Sequence, residues 1–218
     1  MAREIEIKLR VKDVQELQAA LKRMGARLAR TGTARVHEWN TVFDTASQDL
    51  RRREQLLRIR IETPDGRSLR RAKNAARPAL LTFKQPARGT QAPAGKRPQQ
   101  ERHKVREEIE LRIGDAAALA KIFEALNLRA SVYYEKYRTT FRLPPSRRWA
   151  KGLLIELDET PIGNFVELEG PPRAIDRAAR ALGFSKKDYI LKNYLRLNVE
   201  DRLRRGVEPG DMVFPNSK

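Results

Sequence analysis

The sequence predicts an α+β fold in which an antiparallel sheet curls or closes around a charged lumen, with helices packed on its outer face. Three observations predict it. Seven segments alternate apolar and charged residues with the period of two that a half-buried strand requires. Helical patterns with caps lie between them. The charged sides of the strands are almost all Glu, Asp, Arg and Lys, whereas a wetted sheet face is normally mixed with Thr, Ser and Gln.

The first strand, AREIEIKLRV (2–11), sets Glu4, Glu6 and Lys8 against Ile5, Ile7 and Leu9. Side chains point alternately to opposite faces, so the charges share one face and the apolar groups the other. Asp13 can cap a helix carrying Val14, Leu17, Leu21 and Met24, which Gly25 ends. HEWNTVFDT is a weaker strand candidate. QLLRIRIE places Arg58 and Arg60 opposite Leu57, Ile59 and Ile61, and ALLTFKQP places Thr82 and Lys84 opposite Leu81 and Phe83. The stretch from Pro86 to Lys104, rich in Pro, Gly, Gln and basic residues, reads as a flexible inserted loop, and RSLRRAKNAARPA before the Lys84 strand is similarly basic.

VREEIELRI then sets Arg106, Glu108, Glu110 and Arg112 against Glu107, Ile109, Leu111 and Ile113. Asp115 starts a helix with Leu119, Ile122, Phe123 and Leu126 on one side. YEKYRTTFRL carries Lys136 and Arg138, GLLIELDE carries Glu156 and Asp158, and NFVELEG carries Glu167 and Glu169, each set on the charged side of its strand. A third helix runs from about Pro172 to Leu182 with Gly183 as its stop, and KKDYILKNYLRL is expected to form a last one. EIKLRVKD (6–13) aligns without gaps to EIELRIGD (108–115), each followed by a helix of similar spacing, which suggests an internal duplication with a pseudo-twofold relation. The expected organisation is one domain over 1–197 and a polar, loosely held tail over 198–218.

The chain has 218 residues, a formal net charge of +18, no cysteine and two histidines. Disulfide and thiolate chemistry are excluded, and a histidine-based zinc site is disfavoured. The charge implies an anionic partner: nucleic acid, phosphorylated small molecules or an acidic surface. The chain opens on a charged strand without a signal-peptide pattern and has no apolar run near bilayer length, so the expectation is a cytoplasmic protein with no membrane role.

At a single strand, a charged face is usually a solvated one. Here the helices need apolar surface to pack on, and the strands' apolar sides supply it. The charged sides are then left for the centre of the sheet. Pairing alone does not offset the desolvation of so many charges. Clustered carboxylates such as Glu4, Glu6, Glu167 and Glu169 suit Mg²⁺ or Mn²⁺, which take oxygen ligands. Clustered Arg58, Arg60, Lys84, Arg106, Lys136 and Arg138 suit a polyanion, gripped by the guanidinium forks. A site holding both wants a metal–triphosphate complex.

These residues resemble the CYTH domains, or triphosphate tunnel metalloenzymes, which include CyaB-type class IV adenylate cyclases, thiamine triphosphatases, inorganic triphosphatases and RNA triphosphatases. E-x-E-x-K matches Glu4, Glu6 and Lys8; R-x-R matches Arg58 and Arg60; T-F-K matches Lys84. R-x-E-x-E matches Arg106, Glu108 and Glu110, K-x-R matches Lys136 and Arg138, and the late acidic strands match Asp158, Glu167 and Glu169. Lys192 lies in K-N-Y where members often carry K-S-Y. The order holds over residues 2 to 197, and the string looks most like CyaB-like proteins.

The resemblance implies an eight-stranded antiparallel barrel forming a tunnel, flanked by helices. It implies a divalent metal held by Glu4, Glu6, Glu167 and Glu169, with Asp158, Glu108 and Glu110 as further ligands or orienters. Lys8, Arg58, Arg60, Lys84, Arg106, Lys136, Arg138 and Lys192 would clamp the triphosphate of tripolyphosphate, thiamine triphosphate or ATP. A water oriented by a glutamate or by Lys8 would be the nucleophile of a hydrolase, and the ribose hydroxyl that of a cyclase. A cyclase also needs a nucleoside pocket; Trp39, Trp149, Tyr133 and Tyr134 are the aromatic candidates, each more readily explained as core or rim. The family also implies a possible homodimer. The competing class is a polyanion or RNA 5′-end binder using the basic surface, which gains nothing from glutamates on the same faces.

Overall fold

The computed structural model describes residues 2–29, 35–64, 78–87 and 103–215. Nine strands form in chain order: β1 (Ala2–Val11), β2 (Arg27–Leu28), β3 (Val36–Asp44), β4 (Leu56–Pro64), β5 (Ala79–Pro86), β6 (Lys104–Ile113), β7 (Arg129–Arg142), β8 (Leu154–Thr160) and β9 (Gly163–Glu169). Five α-helices accompany them: α1 (Val14–Arg23), α2 (Asp49–Arg52), α3 (Ala116–Ala125), α4 (Pro172–Ala181) and α5 (Tyr194–Arg204). The hydrogen-bonded order is β7-β3-β4-β5-β6-β1-β9-β8, and β8 pairs back onto β7. All pairs are antiparallel. The result is a closed eight-stranded barrel with helices outside, and the two-residue β2 is an appendage on β7. Closure removes the unpaired edges that an open sheet would present.

The basic insertion read over 86–104 and the stretch 67–79 fall largely outside the described residues. Among the described residues no helix is long and apolar enough to cross a membrane. The strand pattern HEWNTVFDT forms β3, a full barrel stave between β4 and β7.

The duplicated strand–helix units form alike. The Asp13 carboxylate accepts from the Gln15 and Glu16 amides, and Asp115 accepts from those of Ala117 and Ala118, each satisfying orphan donors of the first turn. Outside the barrel, Ile7, Leu9, Ile155, Val166 and Leu168 pack under α1 and α4 through Leu17, Leu21, Ile175 and Ala178. A second outer cluster joins Phe43 and Ile59 to Phe123 of α3. On α3 the single apolar side read from the sequence splits. Phe123 is buried and Leu119 packs against it, but Ile122 and Leu126 stand exposed, because the face that meets the barrel is centred on Ala116 and Phe123.

The third cluster sits inside the barrel, at one end. By alternation Leu56, Val42, Val132, Tyr134 and Phe165 point inward, and they pack with Tyr194 and Leu197 of α5 and with Met212. Met212 is 1% exposed and is bridged to Tyr134, with its backbone bonded to Tyr133 and Glu135. The stretch expected to be a loose tail after 198 therefore carries α5 to Arg204 and a docked segment that seals this end of the barrel. Met212 in the barrel-end cluster, and Phe214 against Tyr137 with its amide donating to Glu135, supply the anchoring. The last helix also starts later than the pattern suggested. Residues 186–188 form a 3-10 turn, Ile190 pairs with Lys8 as an extended bridge, and Asn193 caps α5 by accepting from the Arg196 amide.

Candidate triphosphate and metal site

Alternation delivers to the lumen one charged side chain every second residue from nearly every stave. Glu4, Glu6 and Lys8 arrive from β1, Arg58 and Arg60 from β4, Lys84 from β5, Glu108 from β6, Lys136 and Arg138 from β7, Asp158 from β8 and Glu167 from β9. Of these, Glu4, Glu6, Lys8, Arg58, Lys136, Asp158 and Glu167 are buried. Cross-strand register sets the neighbours: Lys8 lies opposite Glu167, Glu6 opposite Glu169, and Arg138 opposite Asp158.

The lumen is a lattice of alternating sign. Lys8 Nζ stands 3.0 Å from Glu6 and 2.8 Å from Glu167. Lys84 bridges Glu4 at 2.6 Å and Glu108 at 3.0 Å. Lys136 donates to Asp158 at 2.8 Å, and Arg138 engages Asp158 through two nitrogens, both at 2.6 Å, while also contacting Glu156 and Glu167. The Tyr194 hydroxyl donates to Asp158 at 2.7 Å, and its ring lies 5.2 Å from Lys8 Nζ and 5.1 Å from Lys136 Nζ. The seal of the barrel thus touches the charged lattice directly.

Sequence reasoning missed several of these residues. Glu38 and Asn40 come from β3, the strand whose pattern was weakest; Glu38 is 2% exposed and faces Arg60 at 3.3 Å, and Asn40 accepts from Arg60 at 3.1 Å. Glu156 is read on the charged side of its strand but not counted in the site, and Lys104, two residues before Arg106 and in phase with it, is findable by the same count. Tyr194 is the tyrosine of the K-N-Y stretch, quoted there for Lys192 alone; its place in the lumen depends on where α5 folds over the barrel.

Three expected residues lie elsewhere. Lys192 sits on the surface, paired with Glu200 at 2.8 Å. Arg106 turns to the Glu54 carbonyl at 2.7 Å, and Glu110 is exposed, accepting from the Thr82 hydroxyl at 3.2 Å. Of the aromatic candidates, Trp39 and Tyr133 contact each other on the outer wall, Trp149 lies under Arg177, and Tyr134 is buried in the seal. None of the four is placed in the lumen's open part.

Arg58 differs from its neighbours. It is 5% exposed, yet its guanidinium donates only to neutral oxygens, the Tyr134 hydroxyl at 2.6 Å and Thr82 Oγ1 at 3.1 Å. Its Nε has no partner. Among the described residues no carboxylate pairs with it, although a buried cation without an anion is costly. Arg58 and Arg60 in turn overcome burial and hold the Tyr134 hydroxyl below its usual pKa.

The acids separate into two groups. Burial disfavours ionisation of Glu6, Glu38 and Glu167, but adjacent lysines and arginines outweigh it and hold all three below the usual carboxylate range. Burial pushes Glu169 up to about 8, helped by Glu4 and Glu156, and pushes Glu156 up to about 7, with Asp158 and Glu167 outweighing part of the help from Arg138. Glu4 Oε2 is buried with no partner. Mutually repelling carboxylates with an unused oxygen are the chemistry a hard divalent cation relieves, so the donor set fits Mg²⁺ or Mn²⁺. Among the described residues no three acidic groups converge on one point as they stand, because lysine ammoniums hold Glu4, Glu6, Glu108 and Glu167.

The raised Glu169 has a signed consequence. A carboxyl whose folded pKa lies above its ordinary 4.5 adds stability below that value and loses it as pH rises through about 8. Glu169→Gln is expected to melt with wild type near pH 4.5 and several degrees above it at pH 8, in chelator. A gap that does not widen with pH would refute the assignment.

The sequence matches the CYTH domain family over residues 2–194. No curated protein matches it. Among solved structures, a protein of Vibrio parahaemolyticus provisionally named an adenylate cyclase aligns at TM-score 0.66 and 16% identity, covering 89% of this chain and 96% of its own. A Pyrococcus horikoshii protein aligns at 0.64 and 22%, over 91% and 99% of the two chains. A Hippeastrum protein provisionally named an adenylyl cyclase, whose structure is described as revealing a dominant triphosphatase activity, aligns at 0.51 and 19%, over 97% and 98%. With the match spanning nearly its whole length and the closed barrel beneath it, this chain belongs to the CYTH domain family.

Proposed function

We propose that this protein is a divalent-metal-dependent hydrolase that removes the terminal phosphoryl group of a triphosphate, with inorganic tripolyphosphate as its preferred class of substrate. The observation that carries the reading is Arg58, a buried guanidinium held by neutral oxygens and lacking an anion. A phosphate oxygen would complete it. Lys8, Lys84, Lys136, Arg60 and Arg138 would exchange part of their carboxylate contacts for phosphate oxygens, gripping the chain of phosphates along the lumen.

Bound Mg²⁺ or Mn²⁺ would neutralise phosphate charge beside Glu4 and Glu169. Glu4, Glu6 and Glu169 would orient the attacking water, and Lys8 would stabilise charge developing on the transferred group. Hydrolysis is favoured over cyclisation by what surrounds the lumen. Its inward aromatic rings, Tyr134, Phe165 and Tyr194, are packed together in the seal, so none is free to stack a nucleobase. Inorganic phosphate chains need no such ring.

The test is a product assay with Mg²⁺ or Mn²⁺ on tripolyphosphate, thiamine triphosphate and ATP. Orthophosphate release, fastest from tripolyphosphate and lost in Arg58→Met, is the expected result. Cyclic AMP with pyrophosphate would replace the hydrolase with a class IV cyclase. Inertness toward all three, with salt-sensitive and metal-independent RNA binding, would replace it with a polyanion binder.

A further inference from the structure

Arg58 is aimed by two neutral oxygens that reach it from different parts of the barrel. Thr82 lies directly opposite on β5 and is fully buried, so the strand pairing itself fixes its hydroxyl. Tyr134 belongs to β7, two staves away beyond β3, and its hydroxyl accepts from Arg58 Nη1 at 2.6 Å from within the barrel-end cluster. A carboxylate in that place would hold the guanidinium as well, but it would also take up the charge. A phenol fixes the direction and leaves the charge for a ligand.

Tyr134 is held in turn by the end of the chain. β3 pairs along one edge of β7, and β8 covers the other edge only from Tyr137 onward. The backbone groups of Tyr133 and Glu135 would otherwise face an open edge. Residues 211–214 fill it. The Met212 amide donates to the Tyr133 carbonyl, the Glu135 amide to the Met212 carbonyl, and the Tyr133 amide to the Asp211 carboxylate, each at 3.0 Å. The Met212 side chain joins Tyr134 in the cluster inside the barrel. On the outer wall the Phe214 amide donates to one oxygen of Glu135 at 2.6 Å, and the other oxygen meets His37 Nε2 at 2.6 Å. Glu135 and His37 are both fully buried, and the bond to Phe214 gives this pair outside the lumen a role. Asn198 of α5 adds a tie by donating to the Gly210 carbonyl at 2.7 Å. The segment is thus fastened on both sides of the stave that carries Tyr134.

We propose that Tyr134 is a positioning residue for Arg58 and that residues 211–214 form a strap that sets it, so that strap docking and triphosphate binding strengthen each other. The inference rests on the reading of Arg58 as the group that takes a phosphate oxygen. Reciprocity follows from linkage: a strap that improves the grip on phosphate is itself held harder when phosphate is bound.

Two variants separate the parts. Tyr134→Phe removes the hydroxyl and keeps the ring in its cluster, and Met212→Ala loosens the strap and leaves the hydroxyl. Tripolyphosphate binding to the full chain, followed by calorimetry in chelator to prevent turnover, is expected to weaken about tenfold in each, the worth of one well-aimed charge-assisted hydrogen bond. In wild type, tripolyphosphate should slow hydrogen exchange at the Met212 and Phe214 amides at least about fivefold, and the slowing should vanish in Tyr134→Phe. A tyrosine that only fills space would not move this ligand-linked protection. With metal present, the loss in Tyr134→Phe should fall on KM and not on kcat. Wild-type affinity in Tyr134→Phe beside a loss in Arg58→Met would overturn the positioning role and leave Arg58 in the site. Strap exchange indifferent to tripolyphosphate would overturn the coupling. Wild-type affinity in Arg58→Met would remove the reading of Arg58 itself, and the strap's role with it.

Discussion

Arg138→Met is expected to destabilise the ligand-free protein by about 3–5 kcal/mol at pH 7.5, the range for removing one partner of a buried ion network. Arg138 contacts Asp158 twice at 2.6 Å, touches Glu156 and Glu167, and stands 3.7 Å from Glu38. Methionine fills much of the volume, so packing loss is small beside the loss of charge. Of the four buried carboxylates, Asp158, Glu38 and Glu167 would keep Lys136, Arg60 and Lys8 as near cations, and Glu156 would lose its ion-pair partner. Their folded pKa values would rise, and a carboxyl raised in the folded state adds stability below its ordinary value and loses it as pH climbs. The deficit against wild type is therefore expected to be largest above neutrality and to shrink toward pH 5. Urea unfolding of both proteins at pH 5 and pH 7.5 measures it. A deficit equal at the two pH values would assign the loss to packing and remove Arg138 from its place at the centre of the network.

That network explains which parts of the molecule could be read in the sequence. Seven staves announced themselves because each sets apolar residues on one side and charges on the other, and the repetition of that pattern, more than any single strand, points the charges to a shared lumen; on β6 the outward Ile109 and Leu111 stay exposed. β3 did so weakly because its inward positions hold Glu38, Asn40 and Val42 and its outward ones His37, Trp39 and Thr41, so neither side is uniform. The same mixture hid Glu38, now among the most buried acids of the lumen. Pair formation was not legible at all: Arg138 meets Asp158, Glu156 and Glu167 from two other strands, and register alone decides that. The seal was hidden for a related reason. Tyr194 and Met212 reach the lumen only because the chain after β9 returns across the open barrel end, a long-range event that local periodicity does not encode. Ile122 and Leu126 show the converse. Their pattern promised burial, and the fold leaves them exposed.

Glu4→Gln is expected to lower kcat/KM for triphosphate hydrolysis on the order of 10²–10³-fold, as removal of one preorganised electrostatic group does in other sites. The substitution is conservative in shape. Glutamine keeps an oxygen where Glu4 Oε1 accepts from Lys84 at 2.6 Å, and only the partnerless, buried Oε2 becomes an amide. The fold should therefore persist, with a melting temperature near that of wild type. If Oε2 is a cation donor, Mn²⁺ affinity measured by calorimetry should fall about 10–100-fold in the same variant. Glu110→Gln is the internal control: Glu110 is exposed and bonded to Thr82, away from the paired lysines, and its loss should change activity less than about fivefold, about 1 kcal/mol. Equal losses in the two variants would mean that general negative charge in the barrel matters and position does not. An unchanged Mn²⁺ affinity beside a large loss of activity would instead move Glu4 from holding a cation to orienting water.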